Sequence, residues 1–81
     1  MENVIYRDDE MIGYRNDIIK AFKTQLADEI LDEEIEKEAL QEDMSEILEI
    51  IQVLENECDN YTLLAVKHNS MGAYYYEKIE Y

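Results

Sequence analysis

Eighty-one residues, 47% of them hydrophobic and 35% charged, carry a formal net charge of −14. That length allows one domain, residues 1–81, with one modest core, and the apolar fraction is that of a folded chain, not of a disordered tail. The charge repels phosphates, which argues against direct binding to nucleic acid, and apolar runs no longer than residues 63–66 are too short for a membrane-spanning helix.

Proline is absent and glycine occurs only twice, so few residues punctuate strands and turns. Glu, Leu, Ile, Ala and Lys dominate, and most of these favour helix. The composition predicts a mainly α fold, a small bundle of three to four helices with a short β-arm at the N-terminus. Cys58 is the single cysteine, so no disulfide forms within the chain, as expected in a reducing compartment. The start Met1, Glu2, Asn3 lacks a basic stretch followed by an apolar one, so no secretory signal is expected. The expected location is the cytoplasm of a bacterial host cell.

In chain order, residues 3–7 read as the β-prone arm, and Asp8 and Asp9 offer an N-cap. Ile12, Ile19, Phe22, Leu26 and Ile30 then follow helical spacing, widened by Ile18, and a break is expected near residues 32–34. Helical spacing resumes through Ile35, Leu40, Met44, Ile47, Ile51, Leu54 and Cys58. Asp43 and Glu46 have the spacing of a capping box, which predicts a helix boundary near Gln41.

The last third supports two readings. As helix, Tyr61, Leu64, Ala65, Met71, Gly72, Tyr75, Tyr76 and Ile79 share one face. Alternating steps of four and three from Ile47 to Ile79 then make a heptad seam, with Asp59 and Asn60 a candidate break. Met71 and Gly72, followed by Tyr75 and Tyr81, sit at offsets that resemble the first helix of a tetratricopeptide repeat over residues 65–81, although His68 stands at the signature Trp position. That likeness supports helix. The alternative is an α+β fold with a Tyr-rich β-hairpin at about 61–81, turning through Asn69, Ser70, Met71 and Gly72.

The charge is concentrated. Residues 28–59 hold fourteen carboxylates against Lys37 alone, which leaves −13 of the −14 in this block. Drawn out as helix, 32 residues span roughly 48 Å, about one carboxylate per 3.4 Å, the linear charge density of one DNA strand. A helix built for stability alternates acids and bases at i, i+4. Here Asp28, Asp32 and Glu36 stack like charges at that spacing, and so do Glu38, Glu42 and Glu46.

No catalytic constellation can be assembled around a single histidine, His68, and a single thiol, Cys58. His68 reads as a packing residue at the core edge. No calcium loop, di-iron motif or phosphate loop occurs, so no metal or cofactor is expected. The expectation is therefore a protein that binds and does not catalyse.

The candidate contacts are Asp28, Glu29, Asp32, Glu33, Glu36, Glu38, Glu42, Asp43, Glu46 and Glu49, with Tyr74 and Tyr81 as exposed aromatic anchors. Tyr61 and Tyr75 read as structural. The first functional reading is an inhibitor that mimics nucleic acid and blocks the basic DNA- or RNA-binding channel of a nuclease or similar enzyme. In size, charge and helicity the chain resembles the small acidic proteins with which phages and mobile elements counter restriction and CRISPR nucleases. The second is an assembly or adaptor module that docks or homodimerises through the 47–79 seam.

Overall fold

In the computed structural model, which describes residues 3–79, the chain begins with a tight hairpin. Strands β1 (Ile5–Arg7) and β2 (Glu10–Tyr14) pair antiparallel, with Arg7 opposite Glu10. The two residues between them, Asp8 and Asp9, have φ of 46° and 65°. A two-residue turn with both φ positive matches the twist of the strands, and Asp tolerates that region better than most residues. Asp8 and Asp9 therefore turn a hairpin where a helix cap was expected, and Ile12 lies in a strand opposite Ala65.

Helix α1 (Arg15–Leu31) follows directly, burying Ile18, Ile19, Ala21, Phe22 and Leu26. The break expected near residues 32–34 is present. Asp32 ends the helix, and its side chain accepts a hydrogen bond from the Glu34 N–H at 3.0 Å. Helix α2 (Lys37–Glu57) then runs unbroken, so the boundary expected at Gln41 does not exist. Its buried residues, Ile47, Ile50, Ile51 and Leu54, all lie in its second half. Arg15 holds the C-terminal end of α2: Nη1 donates to the Cys58 carbonyl at 2.6 Å, and Nη2 donates to Asn60 Oδ1.

The helical reading of the last third is overturned. Residues Leu63–His68 form β3 and Tyr74–Lys78 form β4, an antiparallel hairpin. The whole is an α+β fold in which a helical hairpin is inserted between two β-hairpins, with sheet order β1-β2-β3-β4. It is not a bundle of three to four helices. The tetratricopeptide-like positions Met71 and Gly72 belong to a turn, and Tyr75 to a strand. The hairpin alternative describes this region. Asn69 Oδ1 accepts from the Met71 and Ala73 N–H groups at 2.9 and 3.0 Å, and Gly72 takes φ of +90°, a conformation glycine adopts without steric cost.

Leu64 and Val66 face the helices and join Met11, Phe22, Ile47 and Leu54 in one core. By strand alternation Ala65 points to the other face, yet it is buried too. Apolar side chains on both faces hide the period of two, and this is why residues 63–66 imitate a helix. The heptad seam likewise does not exist as a surface. Ile47, Ile51, Leu54 and Cys58 are spent in the core, and the helix ends at Glu57.

Candidate functional site

The helices outreach the sheet. At 1.5 Å per residue α2 spans about 32 Å, whereas a six-residue strand spans about 20 Å. The last buried residue of α1 is Leu26 and the first of α2 is Ile47. The turns between them, with the linker at 32–36, extend past the core in a molecule measuring 41 × 29 × 25 Å. Tyr6 lies beside Asp28 and Asp32, and His68 and Met71 lie across from the first half of α2. The two β-hairpin turns therefore share this end with the helical tip.

Most of the candidate acids are carried on this overhang. Asp28, Asp32, Glu33, Glu36, Glu38 and Glu42 are exposed, Glu29, Asp43 and Glu46 are half-buried, and Glu49 is exposed one turn further along α2. The expected stacking of Asp28, Asp32 and Glu36 is not realised, because Asp32 and Glu36 lie outside the helices. Glu38, Glu42 and Glu46 do form a helical row, about 6 Å apart along the axis. With Glu29, Asp43, His68 and Met71 they line an open cleft of about 1000 Å³ between α2 and the β3–β4 turn.

Among the described residues no base forms an ion pair with these acids: the ion pairs join Arg7 to Asp8 and Lys67 to Glu10 and Glu77, and none involves an acid of residues 28–59. One consequence is seen at Glu29, whose carboxyl is pushed up to about 7. A hydrogen bond with Asp43 is the main cause, followed by burial and by the negative charge of Asp43, while a hydrogen bond from Gln25 works in the opposite direction. Glu29 Oε2 is buried and without a partner.

Tyr74 is not the exposed anchor expected. It packs edge-on against Phe22, with centroids 5.1 Å apart, and stacks on His68 at 4.5 Å. Burial raises its hydroxyl pKa, with a smaller contribution from Asp43. The assignments made to Tyr61 and Tyr75 are reversed as well, since Tyr61 is 83% exposed and Tyr75 44%. His68 lies exposed at the cleft, its Nε2 2.7 Å from the Gly72 carbonyl oxygen. Tyr81 lies outside the described residues.

The exposed apolar groups of the acidic end include Ile30, Leu31 and Met71, with Tyr6 beside them, and sequence reasoning missed them. Helical spacing placed Ile30 on the buried stripe, but the stripe outlasts the core it packs on.

Cys58 is buried at the far end of α2, and β3 separates it from His68 by roughly 17 Å. Thiol and imidazole therefore do not meet. Among the described residues no three His, Cys, Asp or Glu side chains are grouped to hold a metal ion, and no helix is long and apolar enough to cross a membrane. The arrangement offers a dense negative field, a cleft beside it and a few apolar contacts. Comparison of the chain with known protein families, curated proteins and solved structures gives no match.

Proposed function

We propose that the protein acts by binding and not by catalysis, inserting the acidic end of its helical hairpin into the basic groove of a nucleic-acid-binding protein and excluding the nucleic acid. The observation that carries this reading is the row Glu38, Glu42 and Glu46 with its neighbours, set on an overhang and unpaired with any base among the described residues. Carboxylates that gain nothing inside the fold remain available to lysines and arginines of a partner, where desolvation strengthens each pair. Ile30 and Leu31, 56% and 80% exposed, add apolar contact where the helical hairpin turns. A nuclease of the restriction or CRISPR type, in the bacterial cytoplasm, is the partner class this chemistry suits, because its channel is already shaped for a polyanion. Docking through the 47–79 seam is not retained, because those residues of α2 lie in the core.

The test is capture from a bacterial lysate on the immobilised protein, followed by elution with duplex DNA or with a salt gradient. DNA- or RNA-binding proteins should be released by competitor DNA and by moderate salt. The triple variant Glu38→Lys, Glu42→Lys and Glu46→Lys, verified as folded by circular dichroism, should retain at most about a tenth of that capture. Undiminished capture by the folded triple variant rules the proposal out.

A further inference from the structure

The helices cover one face of the sheet, and the other face is free of the acidic block. Strand alternation places Ile5, Ile12, Tyr14, Leu63, Ala65 and Tyr75 on that open face. Ile5 is 63% exposed, Tyr14 41% and Tyr75 44%. Its charged side chains are Arg7, Glu10, Lys67 and Glu77, two of each sign, with Lys67 3.9 Å from Glu10 and 3.2 Å from Glu77. Asp8 of the β1–β2 turn lies 3.9 Å from Arg7, and with it the described residues of this face carry −1 of the chain's net charge of −14.

We propose that the open sheet face is a contact between two copies of this chain, packed sheet on sheet with the helical layers outermost. The segregation of charge selects this occupant. A basic partner gains more on the helical layer, whereas a second copy is repelled by the helical layer and meets little net charge on the sheet. Stacked sheets lie about 10 Å apart and each helix is about 10 Å thick. The acidic layers of such a dimer are then roughly 30 Å apart, several times the Debye length of about 8 Å at physiological salt. An antiparallel arrangement separates the acidic ends further. Size sets the strength. Four strands at about 4.8 Å and five residues at about 3.4 Å give a flat footprint of roughly 330 Å², well below the ~800 Å² per partner of a standard interface. The dimer is therefore weak and depends on concentration.

Sedimentation equilibrium of the intact chain, from about 10 μM to about 1 mM and at low and high NaCl, tests this. The expected result is a mean mass rising from one chain towards two, with tighter association at high salt because screening removes the residual repulsion. Tyr75→Lys and Ile5→Lys, both at exposed positions, should each weaken association at least about tenfold. Leu48→Lys, on the helical layer at a site 52% exposed, should leave it unchanged. A monomer throughout the range overturns the proposal. So does a dimer that tolerates both sheet variants, or one that Leu48→Lys dissolves.

Discussion

Glu29 and Asp43 face each other across the two helices, with Gln25, Glu46 and Tyr74 around them. The hydrogen bond with Asp43, then burial and the negative charge of Asp43, push the Glu29 carboxyl up to about 7. The folded chain holds the carboxyl proton more tightly than the unfolded chain, whose glutamate has its ordinary value of 4.5. The stabilisation is fully present below pH 4.5 and is lost as pH rises through 7. Glu29→Gln keeps the neutral form at every pH. It should raise the melting temperature at pH 8 by roughly 4–8 °C, taking about 1 kcal/mol for a site partly screened by solvent, and change little at pH 5. Equal shifts at the two pH values would show that the proton is not shared. Arg15 supports the opposite end. Removing its hydrogen bonds to the Cys58 carbonyl and Asn60 by Arg15→Ala should cost about 1.5–3 kcal/mol in urea unfolding. Neither role is written in the sequence, because both depend on which helix ends meet.

At the scale of elements, legibility followed the number of faces each element buries. The helical stripe from Ile18 to Leu26 and the break after the helix were readable, because α1 buries one stripe and has a polar back, whereas the helix start was placed at Asp8 and Asp9, ahead of a strand. β3 was misread because Leu64 and Val66 face the helices while Ala65 packs on the other side. A strand that is apolar on both faces has no period of its own. Its partner turn was the better signal. Asn69 bonds two N–H groups with its side chain, and Gly72 supplies the positive φ. Gly72→Ala meets no neighbour within 4 Å, so its effect is conformational alone. It should destabilise by about 1–2 kcal/mol, read as a lower urea midpoint with an unchanged slope. No change in midpoint would mean that the turn relaxes into another type. The acids of the candidate site were legible individually, since charge keeps them at the surface wherever the chain folds. Their collection at one end was not, because it follows from helices longer than the strands they cover. The exposure of Ile30, Leu31 and Met71 follows from the same excess length.

On the whole molecule the charge divides the fold into two layers of different character. The open face of the sheet pairs its charges, Lys67 with Glu10 and Glu77 and Arg7 with Asp8. The helices leave theirs unpaired among the described residues, and each like pair at i, i+4 costs about 0.2–0.5 kcal/mol. The Glu38, Glu42 and Glu46 row holds two such pairs, with Glu29, Asp43 and Glu49 close by. Screening should relieve this repulsion. Raising NaCl to about 1 M shortens the Debye length to about 3 Å, and the melting temperature should rise by roughly 4–8 °C for about 1 kcal/mol regained. Glu42→Gln removes the middle charge of the row and both of its pairs. Its melting temperature at low salt should lie above that of the parent chain, and its salt response should be shallower. If the row serves only as solvated surface, that substitution improves the protein at no cost. If the row is a contact surface, the more stable variant should bind its basic partner more weakly, a trade of stability against function. Melting and capture measured on this one variant separate the two: a gain in stability with undiminished capture removes Glu42 from the binding surface, while opposite changes place it there.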